Sequence, residues 1–209
     1  MSHLTVPTLT GRYVTLEPLA IEHIHAIALA GSDDRSSFGY TQVPNGHDEA
    51  AEYVTWLLDD AAHDRVAPFV QRRVADATIV GCTRFLYPHW PLGRDHPDEV
   101  EIGGTWLSAS AQRTAINSEA KLLLLTHAFE VWNVQRVAVC TDAGNEQSRR
   151  AIERLGAQFE GVLRQHRRST RTRTSDDDGG ARLRDTAVYA IIADDWPDVR
   201  AQLTERLTA

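Results

Sequence analysis

The chain has 209 residues, 42% hydrophobic and 24% charged, enough to build one substantial globular domain with a buried core. Its net charge of −7 argues against a general nucleic-acid binder, because neutralising phosphates takes a surplus of Lys and Arg, found here only around residues 164–173. No stretch reaches the roughly 18 consecutive apolar residues of a membrane span, and the first ten residues lack the basic start and apolar core of a secretion signal, so the expected compartment is the cytoplasm.

Residues 12–16 alternate as a short strand that Pro18 ends. Ile21, Ile24, Ile27 and Ala28 recur at helical spacing, with Gly31 as a stop, and the turn-rich residues 32–46 read as a loop. A second helix is expected from Asp48, as cap, to His63. Strands follow at 69–74 and 78–86 around a tight turn at 75–77. After the turn-rich residues 88–98 comes a strand at 99–107. The order then changes to a helix at 117–131 capped by Asn117 or Ser118, a strand at 136–141, a helix at 146–155 closed by Gly156, and strands at 157–163 and 186–192. Residues 164–184, polar and poor in apolar side chains, read as a mobile loop, and a last helix runs over 194–207. Strands early and alternation late indicate an α/β (α+β) sheet of mixed direction. Cys82 and Cys140 lie in apolar, β-branched runs and are expected as buried thiols rather than a disulfide or metal site. None of the nine histidines has defensible metal-ligand spacing, and His127 reads as a packed core residue.

The chemically informative stretch is 101–121, where a strand runs into a polar loop and then a long helix. Free N–H groups and the positive end of the helix dipole make that junction a site for a pyrophosphate, with Arg113 available for a charge-assisted contact. Gly103-Gly104 inside the strand predicts a bulge or splay that exposes backbone to a ligand. An ordinary strand-loop-helix connection would show the same residues.

A second block adds Asn145-x-x-Ser148, Ala151-Ile-Glu-Arg-Leu-Gly-Ala157 and, entering the last strand, Arg184-Asp185-Thr186. Together with the first block, and with an opening Arg12-Tyr-Val-Thr-Leu-Glu-Pro-Leu, this closely resembles the GNAT superfamily of N-acetyltransferases in its RimJ/RimL-like branch. The resemblance covers most of the chain, to Asp195-Trp196-Pro197. It implies one GNAT-like domain over residues 1–209, a twisted, mixed but mostly antiparallel sheet with helices on both faces, and acetyl-CoA or another short acyl-CoA as co-substrate without a metal. The acceptor it implies is a primary amine on a small molecule, a peptide or a protein N-terminus, with neither nucleic acid nor membrane as partner.

The family's pyrophosphate loop, Gln/Arg-x-x-Gly-x-Gly/Ala, falls on Gln112, Arg113, Thr114, Ala115, Ile116 and Asn117. Both small-backbone positions depart from it, at Ala115 and Asn117. That departure is what favours the alternative of a non-catalytic acyl-CoA sensor. The resemblance implies Ser148 as proton donor to the departing thiolate, where the local alternative is a serine satisfying first-turn donors. Asn145 would bind the pantetheine arm or the substrate, or cap its helix, or both. Glu101, two residues from Glu99 on the same side of the strand, is the candidate base. The oxyanion would meet a backbone N–H near Trp106 or Leu107. Arg150, with Arg149, is a candidate for the CoA phosphates. Segment 87–91 (Tyr-Pro-His-Trp-Pro) suits a cleft wall or a homodimer contact. The basic run 164–173 and the acidic run 176–178 are read as opposite charges in one loop or as a basic lip for an anionic ligand.

Overall fold

The computed structural model describes residues 4–169 and 182–208. A hairpin of β1 (Leu9–Thr10) and β2 (Val14–Pro18) opens the fold, followed by helices α1 (Ile24–Gly31) and α2 (Gly46–Ala62). Strands β3 (Val66–Arg73), β4 (Ile79–His89) and β5 (Glu99–Leu107) form a meander. Then come α3 (Ala115–Thr126), β6 (Arg136–Asp142), α4 (Glu146–Leu155), the hairpin of β7 (Gln158–Arg168) and β8 (Leu183–Ile192), and α5 (Trp196–Thr208). Among the described residues the strands make one sheet ordered β1-β2-β3-β4-β5-β6-β8-β7. Every neighbouring pair is antiparallel except β5–β6, which is parallel. This is the mixed, mostly antiparallel sheet expected.

Strand alternation sends side chains to two cores. Val100 and Ile102 of β5 join Leu124 and Leu125 of α3 and Val199 and Leu203 of α5 on one face. Leu86 of β4 and Trp106 of β5 join Ile27 of α1 and Val54 and Leu57 of α2 on the other. Helices therefore cover both faces. Fully burying one such leucine is worth about 1.5–3 kcal/mol.

Several boundaries differ from expectation for local reasons. The start of α2 moves back to Gly46 with Asn45 at the cap, where Glu49, one residue beyond the capping-box position, accepts a hydrogen bond from the Asn45 amide at 2.9 Å. A 3-10 turn at Ile21–His23 precedes α1. The capping residue of α3 is Thr114, not Asn117 or Ser118. Its hydroxyl accepts from the Ile116 amide and donates to the Ala111 carbonyl. A π turn at His127–Val131 continues the helix and puts the His127 ring 4.8 Å from Trp132, in the core as expected. Burial pulls its pKa down to about 4.

Where a loop was expected over 164–184, β7 runs on to Arg168 and β8 begins at Leu183. The pairing passes a register shift between Leu163 and Arg167, where the Gln165 amide donates to Asp185. Polar residues can lengthen a hairpin in this way because the ladder is made by backbone, not by apolar side chains. The rest of the basic run and the acidic run 176–178 lie outside the described residues.

Glu119, buried in α3, accepts hydrogen bonds from the amides of Arg12 (2.8 Å), Tyr13 (2.6 Å) and Val14 (2.8 Å). A Cβ at Gly11 would lie 2.4 Å from that carboxylate, so glycine is what lets the hairpin dock.

Candidate functional site

The parallel pairing of β5 with β6 lasts only three residues, Glu99↔Arg136, Val100↔Val137 and Glu101↔Ala138. Beyond them β5 keeps β4 as neighbour and β6 keeps β8, so a wedge opens between the two strands. The sequence of β5 permits it. Gly104 adopts φ +57, and the β4–β5 register shifts between Cys82 and Arg84.

Of the two candidate oxyanion donors, only one faces the wedge. The Trp106 carbonyl points to β4. It accepts from the Gln71 amide at 3.4 Å, and a Cβ at Gly81 would stand 2.0 Å from it. N–H and C=O of one strand residue share an edge, so the Trp106 amide faces β4 and the Leu107 amide faces the gap. The Leu107 carbonyl, on the same open edge, accepts from Gln112 Nε2 at 2.9 Å. The Trp106 side chain packs against Phe38 in the α1/α2 core, with its ring N–H donating to the Tyr53 hydroxyl at 3.4 Å. Trp106 thus serves as a wall, and of the two residues only Leu107 turns its backbone groups to the open edge.

The strand feeds the loop Gln112, Arg113, Thr114 and then α3. The left-handed residue is Arg113, at φ +58. Ala115, Ile116 and Asn117 lie in the first helical turn, where φ is negative. The departure from glycine at positions 115 and 117 therefore meets no steric demand. First-turn amides such as those of Ala115 and Asn117 have no acceptor within the helix. With the exposed Arg113 guanidinium they form a pole suited to phosphate.

Across the wedge β6 leads into α4. Asn145 caps it, Oδ1 accepting from the Ser148 amide at 3.1 Å. The Ser148 hydroxyl, half-buried in the first turn, makes no hydrogen bond among the described residues. The two arginines after it differ. Arg149 donates to the Tyr189 hydroxyl (3.0 Å) and lies over Phe159, whereas Arg150 stands on the exposed face beside Glu146 at 2.6 Å. Arg150 can swing to an anion at little cost, since exposed pairs of this kind are worth a few tenths of a kcal/mol, about 0.3–0.5.

The loop between α1 and α2 touches both sides of the wedge. Ser37 accepts from Gln112 Nε2 at 2.7 Å, and the Tyr40 hydroxyl donates to the Gly144 carbonyl at 3.1 Å. Those residues are three apart, at most about 11 Å along the chain, so the two sequence blocks converge on one mouth.

On the α1/α2 face of β5, Glu101 is 6% exposed and both its oxygens accept from Arg167 of β7, at 3.0 and 2.8 Å. The Arg167 guanidinium also lies 4.4 Å over the Tyr87 ring, which brings the first residue of segment 87–91 to this ion pair. Glu99 is committed elsewhere, to Arg136, which also holds Glu160. Cys140 contributes no thiolate. Burial, reinforced by the Glu101 charge, pushes it up to about 12, and burial alone does the same to Cys82. Among the described residues no group of His, Cys, Asp and Glu could hold a metal ion.

Three groups escaped the sequence reading. Arg167 was one cation among many in a polar run. Arg84 falls inside the expected strand 78–86 with no signal of its own. Lys121, in the apolar helix, is buried with Nζ 2.7 Å from the Thr105 hydroxyl, which in turn lies 2.8 Å from that of Thr83. A lysine flanked by Ala120 and Leu122 was the visible signal for burial.

Comparison with known proteins matches residues 14–158 to the Acetyltransferase (GNAT) domain family. The curated relative "Putative ribosomal N-acetyltransferase YdaF" of Bacillus subtilis (strain 168) is 39% identical over 66 residues, 32% of this chain and only 36% of that protein's length. A GCN5-related N-acetyltransferase from Brucella melitensis superposes with TM-score 0.79 at 26% identity, over 96% of this chain and 85% of that one. Mycobacterium smegmatis RimJ, solved in complex with CoA-disulfide, superposes at TM-score 0.74 over 96% of this chain and 93% of that one. At 22% identity that likeness speaks for the fold.

Proposed function

The chain belongs to the GNAT acetyltransferase family, and from that premise we propose that it transfers an acetyl group from acetyl-CoA to a primary amine. The observation that carries this reading is the wedge between β5 and β6, bordered by the open N-termini of α3 and α4. An extended pantetheine arm would pair with the free edge of β5 at Leu107 and its pyrophosphate would meet Arg113 and the first turn of α3, including Ala115, Ile116 and Asn117. Gln112 and Thr114 hold that turn in shape, and Asn145, Ser148 and Arg150 face the arm from α4.

The reaction balances as follows. The neutral amine forms an N–C bond to the thioester carbonyl, and the oxyanion is met by a backbone N–H on the open edge of β5. The C–S bond then breaks, the thiolate takes a proton from Ser148 as Ser148 regains one from solvent, and the ammonium proton leaves through water toward Glu101, which returns it to solvent. Glu101 retains lone pairs beyond the two that Arg167 occupies. A protein N-terminus needs little help from a base, because an α-amino group titrates near about 8. The printed name of the Bacillus subtilis relative supports acceptors of that kind.

Calorimetry with acetyl-CoA, followed by thiol release in the presence of peptide and small-molecule amines, tests the reading. Binding with turnover is expected, and Ser148→Ala should slow turnover roughly 100-fold while leaving the affinity for acetyl-CoA intact. Absence of binding would sink the proposal, and binding without turnover on any amine would replace it with an acyl-CoA sensor.

A further inference from the structure

The side of the wedge where the acceptor must arrive carries an unusual charge balance. Among the described residues, Glu101 is the carboxylate paired on this side, and it is already spoken for by Arg167. Arg184, the register partner of Arg167 on β8, is half-buried and its Nε has no hydrogen-bond partner among the described residues. Arg84, the register partner of Gly103, has no carboxylate within ion-pair distance among the described residues. Among the described residues three guanidiniums thus share one carboxylate partner, in a chain whose net charge is −7. A local surplus against the overall sign is a field that selects for a negative ligand.

Arg84 is also held in place for such a role. Its guanidinium lies 5.3 Å over the Trp56 ring and donates from Nη1 to the Tyr53 hydroxyl at 3.4 Å. It rests on the backbone of β5. A Cβ at Gly104 would stand 2.5 Å from its Cζ, so only glycine lets the guanidinium lie there. On the adjacent residue, a Cβ at Gly103 would stand 3.2 Å from a Glu101 oxygen. The candidate base and the uncompensated cation therefore flank one Gly-Gly dipeptide, whose Cα atoms are about 3.8 Å apart. An amine delivered to Glu101 over that bare floor brings whatever lies a few bonds away against Arg84.

We propose that Arg84 binds a carboxylate of the acceptor, so that the substrate is an amine carrying an anionic group a few bonds from its nitrogen. The inference rests on the acetyl-transfer reading and adds the class of acceptor. Arg84 presents a planar fork that a carboxylate can engage bidentately, and Trp56 and Tyr53 fix the fork before the ligand arrives.

The test uses acceptors matched except for the anion, with KM expressed per neutral amine because amidation also lowers the amine pKa: an amino acid against its amide, and an Ala-Glu-initiated peptide against its Ala-Gln counterpart. KM for the anionic member should be at least about tenfold lower in the unaltered protein. Arg84→Gln should erase that difference by raising the anionic member's KM, with the neutral member's KM and the acetyl-CoA affinity unchanged, and Arg84→Lys should recover it in part. The pair that discriminates tells a free amino acid from an acidic N-terminal sequence. A purely structural Arg84 would instead shift both members equally, which overturns the proposal, as does a preference for the neutral partner. A readout independent of turnover is the arginine Nε–H spectrum during titration with N-acetylglycine or N-acetylglycinamide. A resonance that moves only with the carboxylate and is missing in Arg84→Gln is expected, and an unmoved spectrum is the contrary result. Because calorimetry with acetyl-CoA tests the underlying reading separately, the two can fail independently.

Discussion

At its start β5 is tied on both sides. Glu99, Val100 and Glu101 pair in register with β6, Glu99 meets Arg136, and Arg136 reaches on to Glu160 of β7. A few residues later the same strand has lost its β6 neighbour, carries glycine at 103 and 104, and borders charges that are only half met. Arg84 leans on an aromatic ring, and Lys121 has a hydroxyl for company. The tied half shows how a sheet neutralises charge with partners across strands. The open half shows the opposite, polar groups arranged around a gap in the ladder, which is what a ligand-binding edge requires.

Glu101 sits on the border between these halves, and altering it should have the largest effect. Glu101→Gln keeps the shape and one acceptor for Arg167 but removes the charge. If the carboxylate drains the ammonium proton, turnover should fall about 100-fold or more while acetyl-CoA affinity stays the same, read from kcat and from calorimetry. A loss confined to thermal stability, with turnover per folded molecule unchanged, would assign Glu101 to the tied half as a purely structural partner of Arg167.

Lys121 offers the next effect in size. Burial pulls its pKa from 10.5 to about 7. As pH falls from 10.5 to 7, the unfolded chain takes up a proton that the folded one refuses, so folding stability drops through that window and is level below it for this group. His127 continues the trend from 6.5 down to about 4, also because burial disfavours its cation. Lys121→Met removes the first slope and leaves the Thr83 and Thr105 hydroxyls to pair with each other. We expect about 2 kcal/mol more stability at pH 7, shrinking toward pH 10, less than the full linkage because packing and a hydrogen bond are also exchanged. Denaturant melts at pH 7 and pH 10 measure it. An equal change at both values would mean that the amine is not held neutral.

Much of the tied half was legible in the sequence, because alternation and apolar runs encode paired strands. Val100 with Ile102 and Val137 with Val139 announce core-facing residues, and Gly103-Gly104 marked where the ladder would fail. What stayed hidden depends on contacts between segments distant in sequence. The Glu101–Arg167 pair spans 66 residues, and the β7–β8 arms are built by backbone pairing that polar side chains do not advertise. The Trp106 and Leu107 donors could be separated only once strand register was known, since a one-residue step turns an amide from one edge to the other. Boundaries of α2 and α3 moved by two residues each because side chains at Glu49 and Thr114 capture nearby amides, an exchange that competes evenly with other caps.

The smallest effect concerns the loop that leads out of the open half. Judged by sequence, Ala115 and Asn117 are defects in a glycine-based phosphate loop; the left-handed turn, however, falls on Arg113 and leaves Ala115 as the first helical residue. Restoring glycine with Ala115→Gly therefore relieves no backbone strain. It loosens the start of α3 and should cost stability by about 0.5–1 kcal/mol, with acetyl-CoA affinity changed by less than threefold. A tenfold gain in affinity would show instead that the alanine Cβ crowds the phosphates, and that the departure from the family pattern weakens binding. The opposite substitution in logic is Arg113→Gly, which eases a left-handed residue yet removes the one cation of the turn. If Ala115→Gly is silent, the field and the free amides at the helix start, rather than the glycine itself, are what the open edge of β5 hands on to the cofactor.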